Sequence, residues 1–222
     1  MKSILGVNYL DTEDIKNILK NKFSNQDFDD NGNISIISAC FIADKPWIIR
    51  EPNEDYIKRE LEWYLSKSLN VNDIPGETPK IWKNCADKNG FINSNYGWIL
   101  FSEENYNQFE KVVKELKENK VSRQAVMVFI RPTMHEDAKK DGRHDFICTY
   151  CYTFKIEKNK LYMMVNMRSN DCVYGYNNDY AFADYVFNKL LEELQEYNLE
   201  KGVIFWKADN FHVYPRHFKF LE

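Results

Sequence analysis

Arginine is scarce in this chain of 222 residues: there are seven, against 23 lysines. Any phosphate site must therefore rest on a few well-placed guanidinium groups. Positive charge is not in excess. The net charge of −4 argues against a bulk binder of nucleic acid or anionic membrane. No apolar run approaches the length of a membrane span. The N-terminal MKSILGVNYLDTEDI breaks its apolar character too early for a signal peptide. The cysteines are odd in number: Cys40, Cys85, Cys148, Cys151 and Cys172. Together with the missing signal, this predicts free thiols in a reducing cytoplasm. Repeats, low-complexity tracts and Pro/Gly-rich linkers are also missing, so one domain over residues 1–222 is expected.

Aromatic residues are abundant, with 15 Phe, 14 Tyr and 5 Trp, enough for a sizeable core. Asp11 or Thr12 can cap a first helix running to about Lys22. Asn33–Ile42 alternates like a strand. Asn53 can cap a helix from Glu54 to about Leu69, with Ile57, Leu61, Tyr64 and Leu65 on one face. Ser102 is expected to cap a helix carrying Tyr106, Phe109, Val113 and Leu116. Gln124–Ile130, Tyr150–Ile156, Leu161–Met167 and Val203–Trp206 read as strands, with Lys158-Asn159 as a hairpin turn. Ala181–Tyr197 reads as a long amphipathic helix. Strands and helices without strict alternation predict an α+β fold.

Several side chains could carry chemistry. Glu60 lies on the flank of the apolar face of its helix. Burial there would raise its pKa and suit it to proton transfer, whereas pairing with Lys58 or Arg59 would make it structural. Cys148 and Cys151 form a CxxC without a second pair or a His pair at zinc spacing, so no metal is expected. One of the two can be a nucleophile if a neighbouring Arg lowers its pKa. Arg168-Ser169, at the end of a strand, can clamp a phosphate or form a surface ion pair. Asp179 precedes the predicted helix and could simply cap it. His212 and Tyr214 lie on one side of an extended segment and can hydrogen-bond a sugar.

In order along the chain stand RELEWY with Glu60, SLNVNDIPGETPKIW with Trp82, INSNYGW with Tyr96, and Ser122-Arg123. KDGRHDFICT with Cys148, NMRSND with Arg168, Gly175, Asp179 and HVYPRHF follow. From about Asn33 to Phe218 this order resembles the thymidylate synthase family. Within it the chain looks most like the phage branch that hydroxymethylates deoxycytidylate. The resemblance implies the family's mixed sheet packed with helices, with a sheet face used for homodimerisation. It makes Cys148 the nucleophile at C6 of the pyrimidine, Glu60 the carboxylate that organises water and relays protons, and Tyr96 a helper with the C5 proton. Arg168 and Ser169 become phosphate ligands, joined by Arg123 reaching across from the partner subunit. His212 and Tyr214 would hold the sugar hydroxyl, and Asn170 and Asp179 the base. Trp82, Asp171 and Gly175 would face the folate, which enters as 5,10-methylenetetrahydrofolate.

The departures from the family pattern carry information. The usual Pro-Cys-His is here Ile147-Cys148-Thr149, and Gln124 stands where a second Arg often follows. The loop Asp27–Asn33 has no basic residue. Thymidylate synthases have Asn at the position of Asp179. Uracil offers a donor at N3 and an acceptor at O4, which one amide matches. Cytosine reverses the pair, and a carboxyl that shares a proton with N3 matches that. The expected activity is therefore conversion of dCMP to 5-hydroxymethyl-dCMP, with water completing the reaction. The alternatives are a folate-dependent dCMP methylase or thymidylate synthase that delivers hydride, with CMP as a possible substrate, and a catalytically silent nucleotide- or RNA-binding relative.

Overall fold

A computed structural model describes all residues from Met1 to Glu222. In chain order the elements are β1 (Lys2–Ile4), β2 (Val7–Asp11), α1 (Thr12–Ser24), β3 (Ile34–Ile42), α2 (Glu54–Ser66), α3 (Lys80–Cys85), α4 (Tyr96–Phe101) and α5 (Gln108–Glu118). They continue with β4 (Val126–Val128), α6 (Met134–Asp137), β5 (Thr149–Glu157), β6 (Lys160–Met167), β7 (Asn170–Asp171), α7 (Gly175–Glu193) and β8 (Glu200–Val213). Residues 1–52 and 153–222 form one unit, and residues 53–152 form another.

The first unit is built on a mixed sheet in the order β1-β2-β3-β8-β6-β5. β8 is its spine. It pairs antiparallel with β3, from Ile34 opposite Val213 to Ile42 opposite Phe205. On its other edge it runs parallel to β6 and then to β7. β5 and β6 are joined at Lys158 and Asn159, both in the left-handed region (φ 48° and 60°), as the tight hairpin turn requires. Ile15 and Leu19 of α1 are fully buried, as are Val186, Phe187 and Leu190 of α7 with Trp206 and Phe211 of β8. Asp11 and Asp14 form a reciprocal capping box that starts α1.

The second unit is mostly helical. β4 stands beside the start of β5, where the Phe129 N–H donates to the Tyr150 carbonyl. α4 approaches α2 so closely that a Cβ on Gly97 would lie 1.8 Å from the Tyr64 carbonyl oxygen. Only glycine fits there.

The elements depart from the sequence expectations at identifiable places. α2 ends at Ser66 because Lys67 turns left-handed (φ 62°) and donates its N–H to Tyr64. Its buried residues are Glu60, Trp63 and Tyr64, while Leu65 is exposed. The expected face was thus rotated, with Glu60 at its centre rather than its flank. The helix expected from Ser102 is broken at Tyr106 and Asn107, both left-handed, and Asn107 caps α5 instead. β4 is shorter than expected. β8 reaches seven residues beyond Trp206, because pairing with β3 sustains polar positions that carry no strand pattern of their own.

α7 begins at Gly175, six residues before the expected Ala181. Asp179 therefore lies inside the helix and does not cap it. Asp171 serves the helix entry, accepting the N–H groups of Val173 and Tyr174 at 3.1 and 3.3 Å.

Candidate active site

In the second unit, Glu60 is 4% exposed. Its partners are neither Lys58 nor Arg59. Arg59 is turned toward Asp55 and the carbonyls of Pro75 and Glu77. Instead the Tyr56 hydroxyl, one helical turn back, donates to Glu60 Oε1. The Trp82 indole N–H donates to the same oxygen at 2.8 Å and to the Tyr56 hydroxyl at 3.0 Å. Burial pushes the Glu60 carboxyl above its ordinary range, and these two hydrogen bonds draw it only partly back. A carboxylate compensated only in part is costly to fold around and well suited to accepting a proton. Trp82 thus grips Glu60, a contact separate from any role toward folate.

Cys148 is half-buried and immediately precedes β5. The next residue, Thr149, is fully buried, and its hydroxyl oxygen lies 2.9 Å from the phenol oxygen of Tyr96. Tyr96 is stacked on Tyr64 of α2, with ring centroids 5.4 Å apart. The segment entering the cysteine is fixed by a second buried carboxylate. Asp145 accepts the Asn93 N–H at 2.5 Å, the Asn93 side-chain amide at 2.7 Å, and the Ser94 hydroxyl. Residues 93–94 lead into Tyr96, so Asp145 ties the approach to Cys148 to the approach to Tyr96. Arg123, ahead of β4, is exposed.

In the first unit, Asn170 is buried on β7. Its amide oxygen accepts the Trp206 indole N–H at 3.2 Å, and its NH2 donates to Asp179 Oδ2 at 2.7 Å. Indole can only donate, so the orientation of the Asn170 amide is fixed and its N–H must face the carboxylate. Gly175 packs at the same point: a Cβ there would stand 3.3 Å from Asn170 Nδ2 and from Asp171 Cβ. Close packing by itself accounts for a glycine at this position.

His212, near the end of β8, is buried, and burial lowers its pKa. Both of its ring nitrogens are buried, no side chain hydrogen-bonds either of them, and the Asn210 backbone partly offsets the effect of burial. The Tyr214 ring stands edge-on to it at 4.6 Å. A neutral imidazole offers one donor and one acceptor nitrogen. Arg168 and Ser169 follow β6 directly and are half-buried. His217 Nδ1 lies 3.8 Å from Asp171.

Sequence reasoning missed Tyr56 and Asp145. The four-residue spacing of Tyr56 and Glu60 was visible and could have found the first. The partners of Asp145 lie more than fifty residues away, and no local pattern points to them.

The thymidylate synthase family model matches residues 9–222, and the chain belongs to that family of one-carbon transferases. It is 48% identical over 193 residues to the deoxycytidylate 5-hydroxymethyltransferase of Enterobacteria phage T4, covering 85% of this chain and 78% of that protein. It is 27% identical over 173 residues to a thymidylate synthase of Francisella tularensis subsp. holarctica, covering 72% of this chain and 61% of that protein. Among solved structures, thermostable thymidylate synthase A from Bacillus subtilis shares the fold. It superposes with a TM-score of 0.70 at 21% identity, over 95% of this chain and 82% of that one.

Proposed function

We propose that the chain is a deoxycytidylate 5-hydroxymethyltransferase, acting over residues 1–222 as one catalytic domain. The observation that carries this reading is the fixed donation from Asn170 into Asp179 Oδ2. A donor aimed at Oδ2 disfavours a proton on that oxygen, so a proton shared with the base sits on Oδ1. Such a carboxyl donates to N3 of cytosine and accepts from its 4-amino group. As the thiolate of Cys148 adds to C6, negative charge spreads into the ring, and a proton held at N3 stabilises it.

Methylenetetrahydrofolate supplies the one-carbon unit. Asp171 suits a carboxylate contact to it, because the N–H groups of Val173 and Tyr174 hold the carboxylate in place while lone pairs remain for pterin donors. After the C5 proton leaves, the pyrimidine carries an exocyclic methylene on C5 and sulfur on C6. Water then forms a C–O bond to the methylene and gives one proton to Glu60. The C5–C6 double bond is restored, and the electron pair of the S–C6 bond returns to Cys148. No electrons are gained or lost overall.

Arg168 and Ser169 hold the phosphate, and His212 with Tyr214 holds the sugar hydroxyl. The buried His212 ring nitrogens, which no side chain engages, support the latter. The active form is a homodimer with Arg123 contributed to the partner's phosphate. Ile37, 84% exposed on β3, and the exposed Arg123 support it. All five cysteines are free thiols, in keeping with action in a reducing host cytoplasm. No helix is long and apolar enough to cross a membrane.

The test is mass spectrometry of the product formed from dCMP, CMP and dUMP with methylenetetrahydrofolate. 5-Hydroxymethyl-dCMP without dihydrofolate is the expected result. A methylated product with dihydrofolate would overturn it, and so would turnover by Cys148→Ala.

A further inference from the structure

The hydrogen bonds on Glu60 are distributed unevenly. The Tyr56 hydroxyl and the Trp82 indole both donate to Oε1, and Oε2 receives neither. The Trp82 N–H also reaches the Tyr56 oxygen, so the three groups form a closed triangle on one side of the carboxylate. We propose that Tyr56 is a positioning residue for the hydration step: it occupies Glu60 Oε1 so that Oε2 is the oxygen that takes the proton from the attacking water. This inference rests on the proposed activity and names a residue that the resemblance did not.

The physical reason is rotational. A buried carboxylate with one anchored oxygen has a defined direction for the lone pairs of the other, and a water bound there is held in one orientation. Trp82 alone would hold Oε1 from a single side. Tyr56 belongs to the same helix as Glu60, at i and i+4, so its grip depends on no other element. Its hydroxyl is constrained as well, because burial and the adjacent Glu60 disfavour its ionisation. It therefore serves as a persistent neutral donor.

Only the last step uses this arrangement. Addition of Cys148 and departure of the C5 proton come before water is needed. Loss of the Tyr56 hydroxyl should therefore uncouple the early chemistry from product formation rather than weaken all steps together.

The experiment compares wild type with Tyr56→Phe, which keeps the ring that packs with Arg59 (5.7 Å) and removes only the hydroxyl. Tritium release from C5-labelled dCMP reports the early steps, and mass spectrometry reports 5-hydroxymethyl-dCMP. Product formation is expected to fall about tenfold or more, as for loss of a hydrogen bond to a charged group, while tritium release falls far less. A small thiol added to the assay should capture the stalled methylene as a thioether. An unchanged ratio of tritium release to product overturns the proposal, whether both rates are kept or both fall.

Site-specific 3-fluorotyrosine at position 56 provides a nearly isosteric second variant should Tyr56→Phe not fold. Its more acidic hydroxyl donates more strongly to the charged carboxylate, so the acid limb of product formation should move to lower pH. An unmoved limb overturns the proposal. Failure of wild type to make 5-hydroxymethyl-dCMP would instead overturn the activity itself, and that product is read first.

Discussion

Asn170 donates to Asp179 across 2.7 Å, with its amide held the right way round by the indole of Trp206. The pair links a strand residue to a helix residue nine positions later, and Asp179 sits inside α7 rather than at its cap. Asp179→Asn should shift preference from dCMP toward dUMP, measured as the ratio of kcat/KM for the two. Asn170→Ala should weaken discrimination by roughly tenfold, the scale of a hydrogen bond to a charged group. Unchanged selectivity in both variants would remove Asp179 from base recognition.

Glu60 is a carboxylate buried in the second unit. Its folded pKa is raised, so its ionised form costs stability. The wild type is favoured below the ordinary glutamate pKa and loses that advantage as pH rises through the raised one. Glu60→Gln should abolish hydroxymethylation yet unfold at neutral pH no more easily than wild type. Its relative stability should grow from acid to neutral pH in urea titrations. Product formation by the wild type should have an acid limb above the usual carboxylate range.

Asp44 shows the opposite sign. Burial opposes its charge, but Lys2 and the Thr12 hydroxyl and N–H hold its pKa at about 2. Against an unfolded value of about 3.9, its stabilisation is complete above that pH and disappears as pH falls toward about 2. Asp44→Asn should flatten the pH dependence of the unfolding midpoint in that window.

Asp145→Ala would strip the partners from the Asn93 N–H, the Asn93 amide and the Ser94 hydroxyl, all buried. A loss of about 3 kcal/mol or more is expected from these unsatisfied donors. Tritium release from C5-labelled dCMP should also slow, because the approach to Cys148 loses its anchor. Calorimetry and the release assay check the two effects separately.

Gly97→Ala should prevent the second unit from folding, since the new Cβ would lie 1.8 Å from backbone oxygen, which cannot move as a side chain end can. Soluble, cooperative unfolding of this variant at the wild-type temperature would contradict the close approach of α4 to α2.

The sequence by itself determined the fold class, most strands and the family. Alternating apolar residues mark β3, β5 and β6, and the ordered motifs from RELEWY to HVYPRHF carry the family. Local pattern can do this because strand and helix periodicities are written residue by residue. It failed where structure is imposed from a distance. β8 was underestimated because its polar half is held by β3, and α7 was started late because its first turns lack an apolar stripe. The environment of each acid was likewise a tertiary decision. Glu60 is raised by burial despite the hydrogen bonds from Tyr56 and Trp82, Asp179 is addressed by Asn170, and Asp145 clamps residues more than fifty positions away. Hydrogen-bond direction and desolvation depend on which groups meet in space, and spacing along the chain does not encode that meeting.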